Sequence, residues 1–256
     1  MILCRPLKTL PVSMTGTQCE LQCGLCHGHY LESMKPWNNG YPVLNGCSSV
    51  LLSGGFRRDG SLVLPNPERI AAIAESGVKI NIHLGFYRPF EQDILLKLCP
   101  HISTVSFNFM PDSGALSVIA PHFSPDSYLD SYAHYLDLGL NIAPHVLLGL
   151  AEPANELLIA EKLKPFSPKK VVLLVLIPGK GQKPRPAGDV IDSVRAFRKT
   201  LPAAQLIMGC MRPGGAWRDE FDSLLEETGV NMVVNPHPLT VSTMTVTSET
   251  DQCCAL

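Results

Sequence analysis

NIAPHVLLGLAEPANELLIAEKLKPFSPKKVVLLVLIP, residues 141–178, sets the fold class. Two continuous apolar runs, NIAPHVLLGL and KKVVLLVLIP, flank EPANELLIAEKLKPF, a segment with helical spacing. A strand with no polar alternation is buried on both faces, and a helix between two such strands implies a parallel sheet covered by helices. The same grammar extends outward in both directions. LPVSMTG, SSVLLSGG, GVKINIHLG and ISTVSFNFM precede this unit, and AAQLIMG and NMVVNP follow it. Helical segments NPERIAAIAESG, SPDSYLDSYAHYLDLG, DVIDSVRAFRKTLP and AWRDEFDSLLEETG lie between them, several closing on Gly or Pro. About eight strand–helix units in this length predict an α/β chain forming a (β/α)8-type TIM barrel, complete or partly open, in one domain. The barrel is expected over residues 1–238, with residues 239–256 as a C-terminal tail over one barrel end.

Composition narrows the class further. The 256 residues are 45% hydrophobic with a formal net charge of −2, which gives no electrostatic footprint for nucleic acid. No apolar run reaches a membrane span, and the N-terminus lacks the pattern of a signal peptide, so a cytoplasmic location is expected. Nine cysteines, three of them within eight residues, point to metal or redox chemistry rather than a disulfide framework.

In a barrel of this type, functional residues lie at strand C-terminal ends. TGTQCELQCGLCHGHYLESM places Cys19, Cys23 and Cys26 in a C-x3-C-x2-C triad just after the first strand. Three thiolates on a tight loop can each bind one iron of a [4Fe-4S] cluster and leave the fourth iron open. A structural zinc site is the competing reading, with His27 or His29 as a fourth ligand.

The triad at this position resembles that of the radical S-adenosylmethionine (SAM) superfamily. The resemblance implies SAM as a cofactor, chelated by the open iron and cleaved reductively to a 5′-deoxyadenosyl radical. Ser53, Gly54 and Gly55 resemble the Gly-Gly-Glu motif that holds the SAM amino group, with Phe56 in place of the acid. HVLLGLAE, with Gly149 and Glu152, is similar to the G-x-I-x-G-x-x-E motif beside adenine, with His145 in place of its first glycine. LIPGKGQKP, including Pro178, resembles a loop that approaches adenosine. Asn108, at a strand end, is matched to a ribose contact.

VSMTGTQCELQCGLC, CSSVLLSGG, INIHLGF, GCMRPGG and the terminal Cys-Cys look most like the biotin synthase-related branch, including a subunit of the two-component lipoyl synthase. That likeness implies sulfur insertion into an octanoyl chain on a lipoyl-carrier protein. It also implies a companion radical SAM subunit, an electron donor such as ferredoxin or flavodoxin, and an auxiliary [4Fe-4S] cluster as sulfur source. Cys210, Cys253 and Cys254 are the expected auxiliary ligands, with Arg212 near an anionic group. Cys4 and Cys47 are expected at the opposite face unless the N-terminal segment crosses over, and Cys99 reads as a packed thiol.

His83, ending NIHLGF, is expected to face the SAM and substrate cavity. Arg57, Arg58 and Arg88 are candidates for receiving a carboxylate. The terminal CCAL also fits a prenylation signal by form. No catalytic acid, base or nucleophile is assigned. Another radical SAM reaction, such as a mutase, dehydrogenase or biotin-type cyclisation, and a non-catalytic iron–sulfur or zinc module are the alternatives.

Overall fold

The computed structural model describes residues 1–37, 44, 46–179 and 181–256; Lys180 of the LIPGKGQKP segment lies outside the described residues. All eight predicted strands form: β2 (Thr9–Ser13), β4 (Ser49–Ser53), β5 (Lys79–Leu84), β6 (Thr104–Asn108), β7 (Ile142–Leu148), β8 (Lys170–Val175), β9 (Gln205–Met208) and β10 (Met232–Val234). Three short strands join them: β1 (Ile2–Cys4), β3 (Lys35–Pro36) and β11 (Ser248–Thr250). Together they make one parallel sheet of order β11-β1-β10-β9-β8-β7-β6-β5-β4-β2-β3. The central strands are buried on both faces, which is why their sequences run apolar without alternation.

Curvature follows from connectivity. β1 and β2 stand eight strand spacings apart in the sheet order, about 38 Å if the sheet were flat at ~4.8 Å per spacing. Five residue steps join Cys4 to Thr9 and reach at most about 18 Å. The sheet therefore curls until its two sides meet, giving an open TIM-like barrel with the strand C-terminal ends gathered at one rim.

Helices cover the outside: α1 (Pro67–Glu75), α2 (Gln92–Leu98), α3 (Ser113–Ile119), α4 (Pro125–Asp137), α5 (Pro153–Leu163), α6 (Ala187–Thr200), α7 (Gly215–Leu224) and the short α8 (Pro238–Val241). Caps fix where several begin. Asn66, Asp112 and Ser124 accept the backbone N–H groups of Arg69, Ala115 and Ser127, and proline opens α1, α4 and α5. No helix among the described residues is long and apolar enough to cross a membrane.

The tail departs from an appendage over the barrel end. β11 pairs in parallel with β1, and the chain then turns into the barrel interior. Lys170 Nζ donates to the carbonyl oxygens of Ala255 (2.8 Å) and Leu256 (2.7 Å), and Ala255 is fully buried. A Cys-Cys-Ala-Leu segment folded inside the barrel is not presented as a prenylation signal. Cys4 ends β1, a strand parallel to the rest, so the N-terminal segment does cross over.

Candidate active site

The triad loop is braced against the end of β4. Met14 N–H donates to Ser53 O (2.7 Å), Gly55 N–H to Thr15 Oγ1 (2.7 Å), and Leu21 N–H to Phe56 O (3.0 Å). Gln22 Nε2 donates to Cys19 O (2.6 Å), and Gly24 N–H donates to Ile119 O (3.0 Å) at the end of α3. Glycine at position 55 has a packing reason as well as a motif reason. A Cβ there would overlap the Gln18 carbonyl oxygen and Cys19 Cα, so the loop could not pass.

Cys19, Cys23 and Cys26 all line one cavity of about 290 Å³, together with Ser53, Gly54, Gly55, His83 and Asn108. Its remaining walls are largely apolar, among them Leu25, Leu31, Met34, Met110, Phe123 and Tyr128. The nearness of Cys26 holds Cys23 down at about 6 against the opposing effect of burial, and Cys23 in turn pushes Cys26 up. One member of the pair is thus ready to act as a thiolate, the form that binds iron. Among the described residues no three His, Cys, Asp or Glu side chains are gathered as the shell of one metal ion. A cubane asks for something else, one thiolate per iron around a shared cavity, and the triad has that arrangement. His27 and His29 are exposed and outside the cavity lining, with His29 Nδ1 3.2 Å from Glu32.

His83 stands 3.4 Å from Ser53 Oγ through Nδ1, while its buried Nε2 has no partner at hydrogen-bonding geometry. Burial pushes its pKa down to about 4, partly opposed by Asn108. His145 stacks on it at 6.2 Å, pairs Nδ1 with Ala143 O (2.9 Å), and is held at about 4 by burial and by His83. Both rings are therefore neutral near pH 7. Phe56, in the position where the motif has an acid, meets His83 edge-on at 5.6 Å, so an aromatic ring closes this side of the cavity. A smaller lobe lined by Leu25, Asn108, Met110, His145, Leu147, Leu174 and Met211 continues into the barrel.

Several expected residues stand elsewhere. Gly149, Glu152 and Pro178 line neither cavity, and Glu152 is exposed at the start of α5. The carboxylate that acts at this rim is Glu156, fully buried, accepting from Gly149 N–H (2.6 Å), Arg185 Nη1 (2.9 Å) and Ser193 Oγ (2.5 Å). It shares the buried face of α5 with Ile159, Ala160 and Leu163, so a charge on an apolar helical stripe was the available signal. Arg57 and Arg88 are committed to Glu91 (2.6 Å) and Asp59 (2.7 Å) rather than open to a substrate carboxylate. Arg58 offers its carbonyl oxygen to His122 Nε2 (3.2 Å). Arg212 is buried in a bidentate pair with Asp222 (2.9 and 3.0 Å) and also donates to the carbonyls of Gly209, Val234 and Asn235. It holds the ends of β9 and β10 together and has no donor left for a ligand anion.

No family model matches the chain, and no curated protein matches it. Solved structures do share the fold. Methylornithine synthase PylB superposes with a TM-score of 0.60 at 16% identity, over 90% of this chain and 72% of its own. SuiB from Streptococcus suis, solved with S-adenosylmethionine bound, gives 0.60 at 16% over 87% of this chain and 53% of its own. HydG, a maturase of the [FeFe]-hydrogenase, gives 0.56 at 15% over 91% of this chain and 56% of its own. The chain thus spans between about half and three-quarters of these proteins' lengths. At such identities the likeness is one of fold: the curled parallel sheet of this chain is the sheet on which these enzymes are built.

Proposed function

We propose that the chain is a radical SAM enzyme in which Cys19, Cys23 and Cys26 hold a [4Fe-4S] cluster, and that it inserts sulfur into an octanoyl chain on a lipoyl-carrier protein. The observation that carries the first part is the cavity shared by the three thiols with Ser53, Gly54, Gly55, His83 and Asn108 at the C-terminal rim of the barrel. When bound, the cluster supplies the electron that cleaves SAM reductively, and the resulting radical abstracts hydrogen from an unactivated C–H bond.

The chain's own groups account for the rest. Gly54 and Gly55 line the cavity beside the triad, where their backbone can meet the SAM amino group, and Asn108 faces the same space. Leu21, Leu25, Met110, Phe123 and Tyr128 exclude water from a reactive intermediate. Neutral His83 offers a ring nitrogen to a bound ligand without adding charge to an apolar cavity. The largely apolar walls of the main cavity suit a methylene chain better than a charged substrate. Sulfur insertion also needs a sulfur source, and Cys210, Cys253 and Cys254 fit a second cluster because the tail carries its cysteines into the barrel instead of over its outside. Cys253 Sγ there accepts a hydrogen bond from Asn81 Nδ2 (3.2 Å).

Anaerobically reconstituted protein supplied with SAM and dithionite is expected to release 5′-deoxyadenosine, and Cys23→Ala to release none. An octanoylated carrier peptide, offered with and without a companion subunit, then reads out sulfur insertion by mass. Absence of 5′-deoxyadenosine from the reconstituted parent would reject the reading as a whole. Its release without any sulfur-containing product, companion present, would reject the sulfur chemistry alone.

A further inference from the structure

Cys4, Cys253 and Cys254, drawn from both ends of the chain, meet in the barrel interior, and Cys210, exposed in the turn after β9, stands near them. Cys4 is the last residue of β1, in register with Val234 of β10 and Thr250 of β11. Its side chain is fully buried and packs with Ala143, Val172, Ile207, Met232 and Val234, residues of four other strands, which places it inside the barrel. Ala255 belongs to the same cluster, and Cys253 and Cys254 pack against it. The Cys4 thiol donates to Gln252 O (3.3 Å), one residue before Cys253. Cys210 lies within electrostatic reach of Cys4, Cys253 and Cys254.

Two polar side chains stand among these otherwise apolar surroundings. Asn81 is fully buried and is held from both sides of its amide by Ser106 Oγ (2.9 and 3.0 Å), which aims its remaining N–H at Cys253 Sγ. Amide N–H donors to sulfur are among the features that stabilise and tune cluster ligands. Lys170 brings an ammonium to the tail beside Cys253 and Cys254, and its bonds to the carbonyls of Ala255 and Leu256 pin that tail in place.

We propose that Cys4 is the fourth protein ligand of the second iron–sulfur cluster, completing a four-thiolate set with Cys210, Cys253 and Cys254. This rests on the second cluster of the proposed function. β1 then has a purpose beyond joining β10 to β11: it delivers a ligand from the N-terminus to a site whose other ligands come from the C-terminal third of the chain. Packing of Cys4 on Met232 and Val234, and the bonds of the tail to Lys170, hold the two chain ends in register around the site.

The test uses the full chain carrying Cys19→Ala, Cys23→Ala and Cys26→Ala, reconstituted anaerobically, so that iron reports the second site alone. It is expected to hold about four irons per chain with the EPR signal of a reduced [4Fe-4S] cluster. Adding Cys4→Ala or Cys4→Val, the latter a strand-forming buried residue, is expected to cut the iron by more than half, and Cys4→Ser to shift the EPR g-values. Cys99→Ala, at the end of α2 and outside this group, should leave both unchanged. Circular dichroism of the apo forms selects the folded Cys4 variants that are scored. A folded Cys4 variant with parental iron content and EPR spectrum would overturn Cys4 as a ligand while leaving the second cluster standing. A triple variant that binds no iron, or binds zinc instead, would remove the second cluster and Cys4's role with it, whereas SAM cleavage by the triad would be untouched.

Discussion

Asp222→Ala should come close to unfolding the protein. Asp222 and Arg212 have fully buried side chains joined by two hydrogen bonds, and Asp222 also accepts the His237 N–H at 2.7 Å. Truncating one partner of a buried pair leaves an uncompensated charge, a loss of about 3–5 kcal/mol. The abandoned His237 N–H adds about 1–3 kcal/mol. The sum, on the order of 4–8 kcal/mol, compares with a total stability of about 5–15 kcal/mol for a domain. Arg212→Met alone removes the charge but strands Asp222 and the carbonyls of Gly209, Val234 and Asn235. The double variant Arg212→Met/Asp222→Ala has no unpaired charge left, so it should be less destabilised than the sum of the singles by about 3 kcal/mol. Urea unfolding of the apo protein, followed by circular dichroism, reads all four corners of the cycle. A loss below about 1 kcal/mol for Asp222→Ala at unchanged m-value, or singles that simply add, would refute the assignment of Arg212 as the buried tie between β9 and β10.

Other perturbations separate the site from the scaffold. Gly55→Ala should displace Gln18 and Cys19, lowering apo stability by about 1–3 kcal/mol and reducing iron uptake at the triad; wild-type uptake would mean the loop passes without needing that glycine. Glu156→Ala leaves Arg185 without its carboxylate partner and deserts Gly149 N–H and Ser193 Oγ, a loss of about 3–5 kcal/mol in urea unfolding, while Glu152→Ala should change stability by less than about 1 kcal/mol. Acid should also destabilise the fold through its two interior histidines. With folded pKa values of about 4 against about 6.5 unfolded, the unfolded chain binds protons across that window that the folded chain refuses. Stability from this source is complete above about pH 6.5 and is lost as pH falls toward 4, by at most about 3 kcal/mol per ring; a urea midpoint for the apo protein that stays flat from pH 7 to 4.5, or that falls equally in His83→Asn/His145→Asn, would contradict it.

The strands that sequence made legible are those whose burial comes from the sheet itself. VVLLV and SVLLS are apolar on both faces whatever lies at the far end of the chain, and the triad is legible because its ligands are adjacent in sequence. What escaped depends on long-range partners. Ile2–Cys4 is three residues long and becomes a strand by lying between β10 and β11, with β11 supplied from the opposite end of the chain. α2 and α3 are seven residues each, too short for periodicity to separate them from loop. Arg57, Arg88 and Arg212 look the same in sequence as arginines free to bind a ligand; their commitments come from Glu91, Asp59 and Asp222, between 10 and 34 residues away.

The same distinction explains why a motif match located Glu152 while the structure uses Glu156. A four-residue motif reports spacing along the chain, whereas the rim of β7 is organised by what the first turn of α5 turns inward. Glu152 precedes that helix and points to solvent; Glu156 lies one turn on, on the face shared with Ile159, Ala160 and Leu163, where a carboxylate survives because Arg185 and Ser193 from the next unit meet it. Gly149, left-handed at φ +87°, directs its N–H into that carboxylate, so the turn after β7 is fixed from beneath by α5 and α6. The rim beside the cavity is thus rigid through groups that never face it, and substitutions there should act on stability before they act on any bound ligand.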